Sequence, residues 1–357
     1  MSGQTIGDII KSKSKEVDPI VSEVSIFKQL IKERVHSLDL LRELISNSGT
    51  KEVGASEIEI SYTKDKDGHI FEISDDGCGM NYTGEKTIPG RLDKFFGLGL
   101  SGIIGQKSDE FSWKGLGSKL SYQSKRVEIE TCEGDKQPFY DVRINEPWET
   151  IENNRIPRPR ISEHPPQQRG TKIRVIGHPP HRQEEPFGIT EIRKFLQHRT
   201  FVGFTRKREN SPTITLSVLG RTINIPFGFP EFKDIVFDEF AHEGLKLDTG
   251  RKTLFINMSP ASSKTMSVKV KGFLTWEAEK FQLSHNNLNT GLILSVKGIP
   301  YFNLDMKEYG ITTIRTARPG EGKTCLVVEC DSIQDEMNIS RSALVDSPKT
   351  LDLKKVV

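Results

Sequence analysis

The sequence predicts an α+β protein of two domains, and three observations carry that prediction. The chain has 357 residues, too many for one ordinary core and enough for two of ~150 residues each. Its first half sets one long helical pattern against strands that alternate in period two, whereas its second half opens on a helix and then runs mostly in strand-like segments. Between them, seven prolines fall from Pro157 to Pro186, a stretch that interrupts regular structure.

Charge bounds the partners. The 51 basic and 49 acidic side chains nearly cancel to a formal +2, so any contact with nucleic acid must be a local feature and not a bulk field. Cys78, Cys132, Cys325 and Cys330 form no CxxC pair, and no secretory segment or apolar run of ~18 residues appears. The expectation is a reduced, cytoplasmic protein with no membrane partner. Residues 1–25 are polar and rich in Lys and Ser, the composition of a loosely held arm. That leaves 26–185 and 186–357 as the two domains.

Phe27, Leu30, Ile31, Val35, Leu38, Leu41 and Ile45 recur at helical spacing, with Gly49 where a C-terminal cap belongs, so a helix of about six turns is expected. Ile58, Ile60 and Tyr62 then alternate up to an Asp67-Gly68 turn signal, and Ile70 and Ile73 follow, which predicts a hairpin. Residues 81–118 hold "FFGLGLSGIIG" and "KGLGSKL"; a loop that long inside a domain is usually a functional lid. Strands return in "RVEIETC", "FYDVRI" and "GTKIRVIG", and "TKIRVI" is the only regular piece expected among the prolines. Beyond 185 come the helical pattern "ITEIRKFLQHRTFVGF" and strands in "TITLSVLGRTINIPF", "TLFINM", "SVKVKGFLTW", "GLILSVKGIPYF" and "TCLVVEC".

The chemistry concentrates in the first domain. Glu43 and Asn47 stand four apart and therefore share a helix face; they could be a capping pair near solvent. Alternatively, the Asn47 amide oxygen suits Mg²⁺, which completes its octahedron with water and phosphate oxygens, and Glu43 could deprotonate a water beside it. In "DDGCGM" an acid in a tight loop held by Gly77 and Gly79 can accept a hydrogen bond from an exocyclic amine such as that of adenine, although Asp-Asp-Gly is also an ordinary turn. "KGLGSKL" offers backbone N–H groups to phosphate, with Lys119 adding charge. Thr171 opens the "RGTKIRV" strand, where it is either a plain β-former or a reader of the same ligand.

In order and spacing, "RELISN", "ISDDGCGM", "KGLGSKL" and "RGTKIRV" resemble the four ATP-binding motifs of the GHKL superfamily, which includes gyrase, the 90-kDa heat-shock chaperones, MutL-type repair proteins, MORC proteins and histidine kinases. "RELISNS" and "GTKI" are most similar to the chaperones, while the lysine of "GLGSK" and the "GLGLSGIIG" lid look more like MORC-type ATPases. The resemblance implies an α/β sandwich binding bent ATP under a lid, followed by a transducer-like α/β domain. It makes Glu43 the general base and Asn47 the Mg²⁺ ligand. Asp75 becomes the adenine reader, Gly77, Gly79 and Met80 the walls, and Gly115, Gly117 and Lys119 the phosphate holders, with Thr171 beside the adenine. Where the chaperones carry an acid three residues after the asparagine, Thr50 stands here.

In the second half, "ARPGEGKT" is one glycine short of a Walker A loop and precedes a strand instead of a helix, against a P-loop. "DEMNISRSAL" resembles the chaperone segment that reaches back to the γ-phosphate, making Arg341 an arginine finger, with Lys323 the runner-up and a solvated Arg341 the plain alternative. Arg199, Arg206, Lys207 and Arg208 form a basic cluster that could meet DNA phosphates or be a solvated face. His178 and His181 lack partners at metal spacing, and His36 shares the Asn47 helix, against a phosphoacceptor role. The expected function is Mg²⁺-dependent ATP hydrolysis driving lid closure or homodimer contacts in a chaperone-like or MORC-like machine acting on a protein client or DNA. The alternative is a nucleotide-gated scaffold with little turnover.

Overall fold

The computed structural model describes residues 24, 25, 28, 36–85, 87–97, 117–180, 185–206, 211–230, 243–250, 252–262, 266–276, 291–309, 323–338 and 343–357. They form a mixed α/β structure of two mixed sheets with a few short helices.

The first sheet has eight strands: β1 Glu57–Asp65, β2 Gly68–Asp75, β3 Arg126–Cys132, β4 Phe139–Asn145, β5 Arg160–His164, β6 Gly170–His178, β7 Thr213–Val218 and β8 Arg221–Ile225. Their order is β5-β4-β3-β6-β2-β1-β7-β8, and only β1 and β7 run parallel. β1 and β2 make the expected hairpin, with Ile58, Ile60 and Tyr62 opposite Asp75, Ile73 and Phe71. The same row pattern continues through Thr171, Ile173 and Val175 of β6 to Thr131, Ile129 and Val127 of β3. Because side chains alternate across a strand, these residues share one face, which is buried under α1 Asp39–Ser48. The opposite face carries Glu72, Glu128, Lys172 and Arg174, joined by ion pairs such as Lys172–Glu72 at 3.3 Å and Arg174–Glu128 at 3.4 Å.

Helix α1 begins only at Asp39, later than the periodicity suggests, because residues 36–38 form a turn: Asp39 Oδ2 accepts the His36 N–H at 2.8 Å, and the His36 carbonyl accepts the Asp39 N–H at 2.8 Å. Leu40, Leu41, Leu44 and Ile45 are fully buried, each contributing on the order of 1.5–3 kcal/mol. The helix ends at Gly49 as expected, yet in right-handed backbone (φ −84°). Glycine is needed for packing, since a Cβ there would sit 2.2 Å from the Phe201 ring.

Helix α2 Arg91–Phe96 falls inside the loop expected over 81–118, and the 3₁₀ turn Gly117–Tyr122 begins at its end; residues 86 and 98–116 of it lie outside the described residues. Helix α3 Pro147–Glu152 follows β4. β5 forms among the prolines after all, paired only to β4 at the sheet edge, where a proline's missing N–H breaks no ladder on the solvent side. The boundary expected near residue 185 falls within this sheet: α4 Ile189–Arg199 is the crossover that returns the chain to lay β7 beside β1.

The second sheet contains β9 Gly244–Asp248, β10 Thr253–Ser262, β11 Ser267–Thr275, β12 Gly291–Val296, β13 Ile299–Leu304 and β14 Lys323–Glu329, in the order β13-β12-β14-β11-β10-β9. Leu292, Leu294, Leu326 and Val328 on one face belong to the same hydrophobic cluster as the first sheet. Phe255, Phe273, Ile293, Cys325 and Val327 pack with Phe229 on the other. Helix α4 and the 3₁₀ turn Phe201–Gly203 contact β13, where Arg199 donates to the Tyr301 carbonyl at 3.0 Å and to Asn303 Oδ1 at 3.1 Å. A last helix, α5 Pro348–Val356, is N-capped by Ser347. Among the described residues no helix is long and apolar enough to cross a membrane.

Candidate functional site

One end of the covered face gathers most of the sequence motifs. Asp75 ends β2, with Thr171 of β6 and then Thr131 of β3 beside it in the ladder. Asp75 is buried; its Oδ2 accepts Ser48 Oγ of α1 at 2.6 Å and its Oδ1 accepts the Gly77 N–H at 3.0 Å. Burial pushes this carboxyl above the ordinary aspartate value, and the Ser48 and Gly77 hydrogen bonds pull the other way.

The adjacent acid does different work. Asp76 accepts the backbone N–H groups of Ser56 at 2.8 Å and Glu57 at 2.9 Å, and the Ser56 hydroxyl, anchoring the start of β1. Burial works to raise its pKa, but these hydrogen bonds outweigh it and hold Asp76 below the usual carboxylate range.

Gly77 and Gly79 have structural reasons to be glycine. A Cβ at Gly77 would lie 2.2 Å from Val53 Cγ1, and Gly79, at φ +71°, would bring one to 2.1 Å from the Cys132 carbonyl oxygen. The close approach they permit is therefore to the protein itself. Met80 donates its N–H to Thr131 Oγ1 at 2.8 Å, and that hydroxyl lies 3.0 Å from Thr171 Oγ1. Thr131 was not singled out in the sequence, where a threonine ending a strand carries no signal. The following loop is pinned by Asn81, whose Oδ1 accepts the Arg91 N–H at 2.9 Å, and by Asp93, which accepts from Thr83, Gly84 and Gly90.

On α1, Glu43 is buried and lies 3.6 Å from Arg42 Nε, while Arg42 pairs with Asp39 at 3.0 Å. Asn47 alone of the ten helix residues is not buried, and its side-chain amide makes no hydrogen bond among the described residues. Thr50 donates to the Asn47 carbonyl at 3.3 Å and accepts the Val53 N–H at 3.4 Å, so in place of an acid it shapes the turn after the helix.

The 3₁₀ turn bearing Gly117 and Lys119 packs on α1. Lys119 is buried, its Nζ held by Ser118 Oγ at 2.8 Å and by the Lys94 and Phe95 carbonyls that end α2. Desolvation lowers its ammonium to about 7. Its charge therefore rests on the end of a helix, where cations are stabilised by the dipole, instead of pointing outward to a phosphate as expected. A cavity of about 400 Å³ lies at these strand ends, lined by Asp75, Thr131, Gly170 and Thr171 and also by Glu59, Ser74, Glu130 and Lys172 of the opposite face; Glu43 and Asn47 do not line it.

Of the remaining expected residues, Gly115 and Arg341 lie outside the described residues, as do Lys207, Arg208 and His181. Lys323 opens β14, and a strand follows "ARPGEGKT" as anticipated. Arg199 and Arg206 are engaged within the protein, Arg206 with Glu329 at 3.4 Å and Asp331 at 3.0 Å. His178 is buried, its Nδ1 2.8 Å from the Gln123 carbonyl oxygen. No family model matches the chain, and no curated protein matches it.

Proposed function

We propose that the chain is an Mg²⁺-dependent ATPase of GHKL type, its first sheet and α1 forming the nucleotide-binding sandwich and its second sheet a transducer-like partner. One observation supports this above the others: a buried carboxylate, Asp75, is oriented at a strand end by Ser48 of the same helix that carries Glu43 and Asn47. A carboxylate fixed in this way suits an exocyclic amine, as on adenine, because each oxygen retains a lone pair beyond its internal hydrogen bond.

The residues fit the groups this reading requires. The Asn47 amide, on a half-buried residue of α1, would supply one oxygen to Mg²⁺, which needs few protein ligands when phosphates are present. When bound, Mg²⁺ neutralises phosphate charge and orients the terminal group. Glu43 would accept a proton from water as the new P–O bond forms and the bond to the bridging oxygen breaks. Lys119 would meet phosphate charge on leaving the α2 carbonyls, and Arg341 would neutralise charge arising in the transition state.

A second reading, a nucleotide-gated module with little turnover, is favoured by one observation: Glu43 sits against Arg42 and must turn from it to address a water. Titration with Mg·ATP alongside steady-state phosphate release, with and without DNA or an unfolded protein client, separates the two. Micromolar binding with turnover is expected. Binding without turnover under every condition selects the gated module, and absence of nucleotide binding removes both.

A further inference from the structure

β9 is the last strand of the second sheet, with no neighbour on its outer side among the described residues. Its shortness and its central lysine blunt it, but its apolar face is left uncovered. Leu245 and Leu247 are 66% and 57% exposed, and they share a face with Ile256 and Leu254 of β10, their ladder partners, and with Leu274 of β11. Those three are only half-buried, and Met258 and Trp276 at the margin are about half exposed. The same face becomes fully buried further along the sheet, at Leu326 and Val328. An apolar surface that runs from the core out to an open strand edge is a template for another strand.

Charge along β9 identifies that strand. Its sequence is Gly-Leu-Lys-Leu-Asp, and the lysine at its centre repels most edge partners. A second copy of β9, antiparallel and centred on Leu247, places Lys246 opposite Asp248 of the second copy and Asp248 opposite the second copy's Lys246. Centring the pair on Lys246 instead sets two lysines against each other, which is unfavourable. Charge therefore selects one register, and in it the exposed Leu247 of each copy meets its counterpart across the seam, with Leu245 of each copy on the same face. Asp248 is already steadied there by the Gly250 N–H, which donates to its Oδ1 at 3.0 Å.

We propose that two copies of this chain associate through antiparallel pairing of β9, centred on Leu247, to make one continuous twelve-stranded sheet from two six-stranded ones. The interface is isologous, as a closed dimer requires. In this register only Lys246, Leu247 and Asp248 of each strand face one another, a seam far short of the ~1,200 Å² that a stable interface buries, so the dimer is weak and depends on concentration.

Sedimentation of the full chain between ~10 μM and ~1 mM, the range set by so small an interface, should show a rising dimer fraction. Lys246→Asp should abolish it, and the exchange Lys246→Asp with Asp248→Lys should restore it while the thermal melt stays that of the parent. Geometry supplies an independent test in a Cys78→Ser background. Leu247→Cys places two thiols at paired positions, ~4.5–5.5 Å apart between Cα atoms, within disulfide reach, so mild oxidation should yield a covalent dimer. Leu245→Cys places them ~14 Å apart, four residues of offset at ~3.4 Å each, and should not. A chain that stays monomeric throughout overturns the proposal. So does dimerisation indifferent to Lys246→Asp, a charge exchange that fails to restore it in folded protein, or equal crosslinking from both cysteine positions.

Discussion

Ser48 Oγ donates a 2.6 Å hydrogen bond to Asp75 Oδ2, and through it the last turn of α1 fixes the carboxylate that ends β2. Both residues are buried, so the bond is made in a low-dielectric setting where its geometry is enforced. The same helix holds Glu43 one turn before Asn47, and any movement of α1 shifts the carboxylate with it.

Asp75→Asn should abolish ATP binding, because the amide offers a weaker acceptor or a donor to the adenine amine at a buried position. Ser48→Ala should keep binding but weaken it by ~3- to 10-fold, the equivalent of a net hydrogen bond. Stability should move oppositely. Asp75 has a folded value raised above 3.8 by burial, so its contribution is present below that pH and is lost as pH rises through the folded value. At neutral pH its charge is a burden, and Asp75→Asn should match or exceed the parent's Tm there. Calorimetry and thermal melts at pH 7 check both; a lower Tm together with retained binding would refute the assignment.

Glu43→Ala should bind Mg·ATP about as well as the parent and lose ~10²–10⁴ in turnover, the range for a positioned general base. Asn47→Ala should weaken Mg·ATP far more than metal-free ADP. Equal losses for the two nucleotides in a competition titration remove Asn47 from the metal.

Much of this was legible because local pattern and tertiary environment agree. Ile58, Ile60 and Tyr62 alternate in the sequence and face the core in the hairpin, and the apolar stripe Leu41, Leu44 and Ile45 is the buried side of α1. What escaped reading depends on distant partners. The parallel pairing of β1 with β7 joins segments remote in sequence and leaves no local trace. β5 and β9 are edge strands, one flanked by prolines and one only five residues long. The turn at residues 36–38 is held by a hydrogen bond between the His36 N–H and the Asp39 carboxylate, which apolar periodicity does not register. At the site, Asp75 was legible as a motif, whereas the use of Gly77 and Gly79 for internal packing and the burial of Lys119 depend on neighbours remote in sequence.

Lys119 offers a pH test. Desolvation lowers its ammonium from 10.5 to about 7, so the folded chain holds this proton less firmly than the unfolded chain. Its contribution to stability is present above 10.5 and is lost as pH falls toward 7. Lys119→Met should therefore raise Tm near pH 7 and flatten the rise in stability between about 7 and 10.5. It should also weaken ATP if the ammonium meets phosphate. Melts across that pH range, with and without ATP, read both effects; an unchanged pH slope would return Lys119 to an ordinary solvated state.

The joint between the sheets gives the last prediction. Lys271 of β11 and Glu329 of β14 form a buried ion pair at 2.8 Å, and both reach Thr205 in the connection after α4: Lys271 Nζ donates to its carbonyl at 2.6 Å, and its hydroxyl donates to Glu329 Oε1 at 3.2 Å. Burial lowers the Lys271 ammonium and Glu329 opposes the shift. Removing one member strands the other in the interior, which typically costs ~3–5 kcal/mol, whereas removing both discards the desolvation penalty along with the attraction. Lys271→Met should therefore cost ~3 kcal/mol, the lower end because Arg206 still faces Glu329 at 3.4 Å, and Lys271→Met with Glu329→Leu should recover most of that. Urea unfolding with matched m-values measures it. If this pair also holds the second sheet against α4 and β7, the single variant should lose ATP turnover while retaining nucleotide binding, because Asp75 and α1 belong to the first sheet. Additive single losses in the double variant would show that the two charges do not act as a pair.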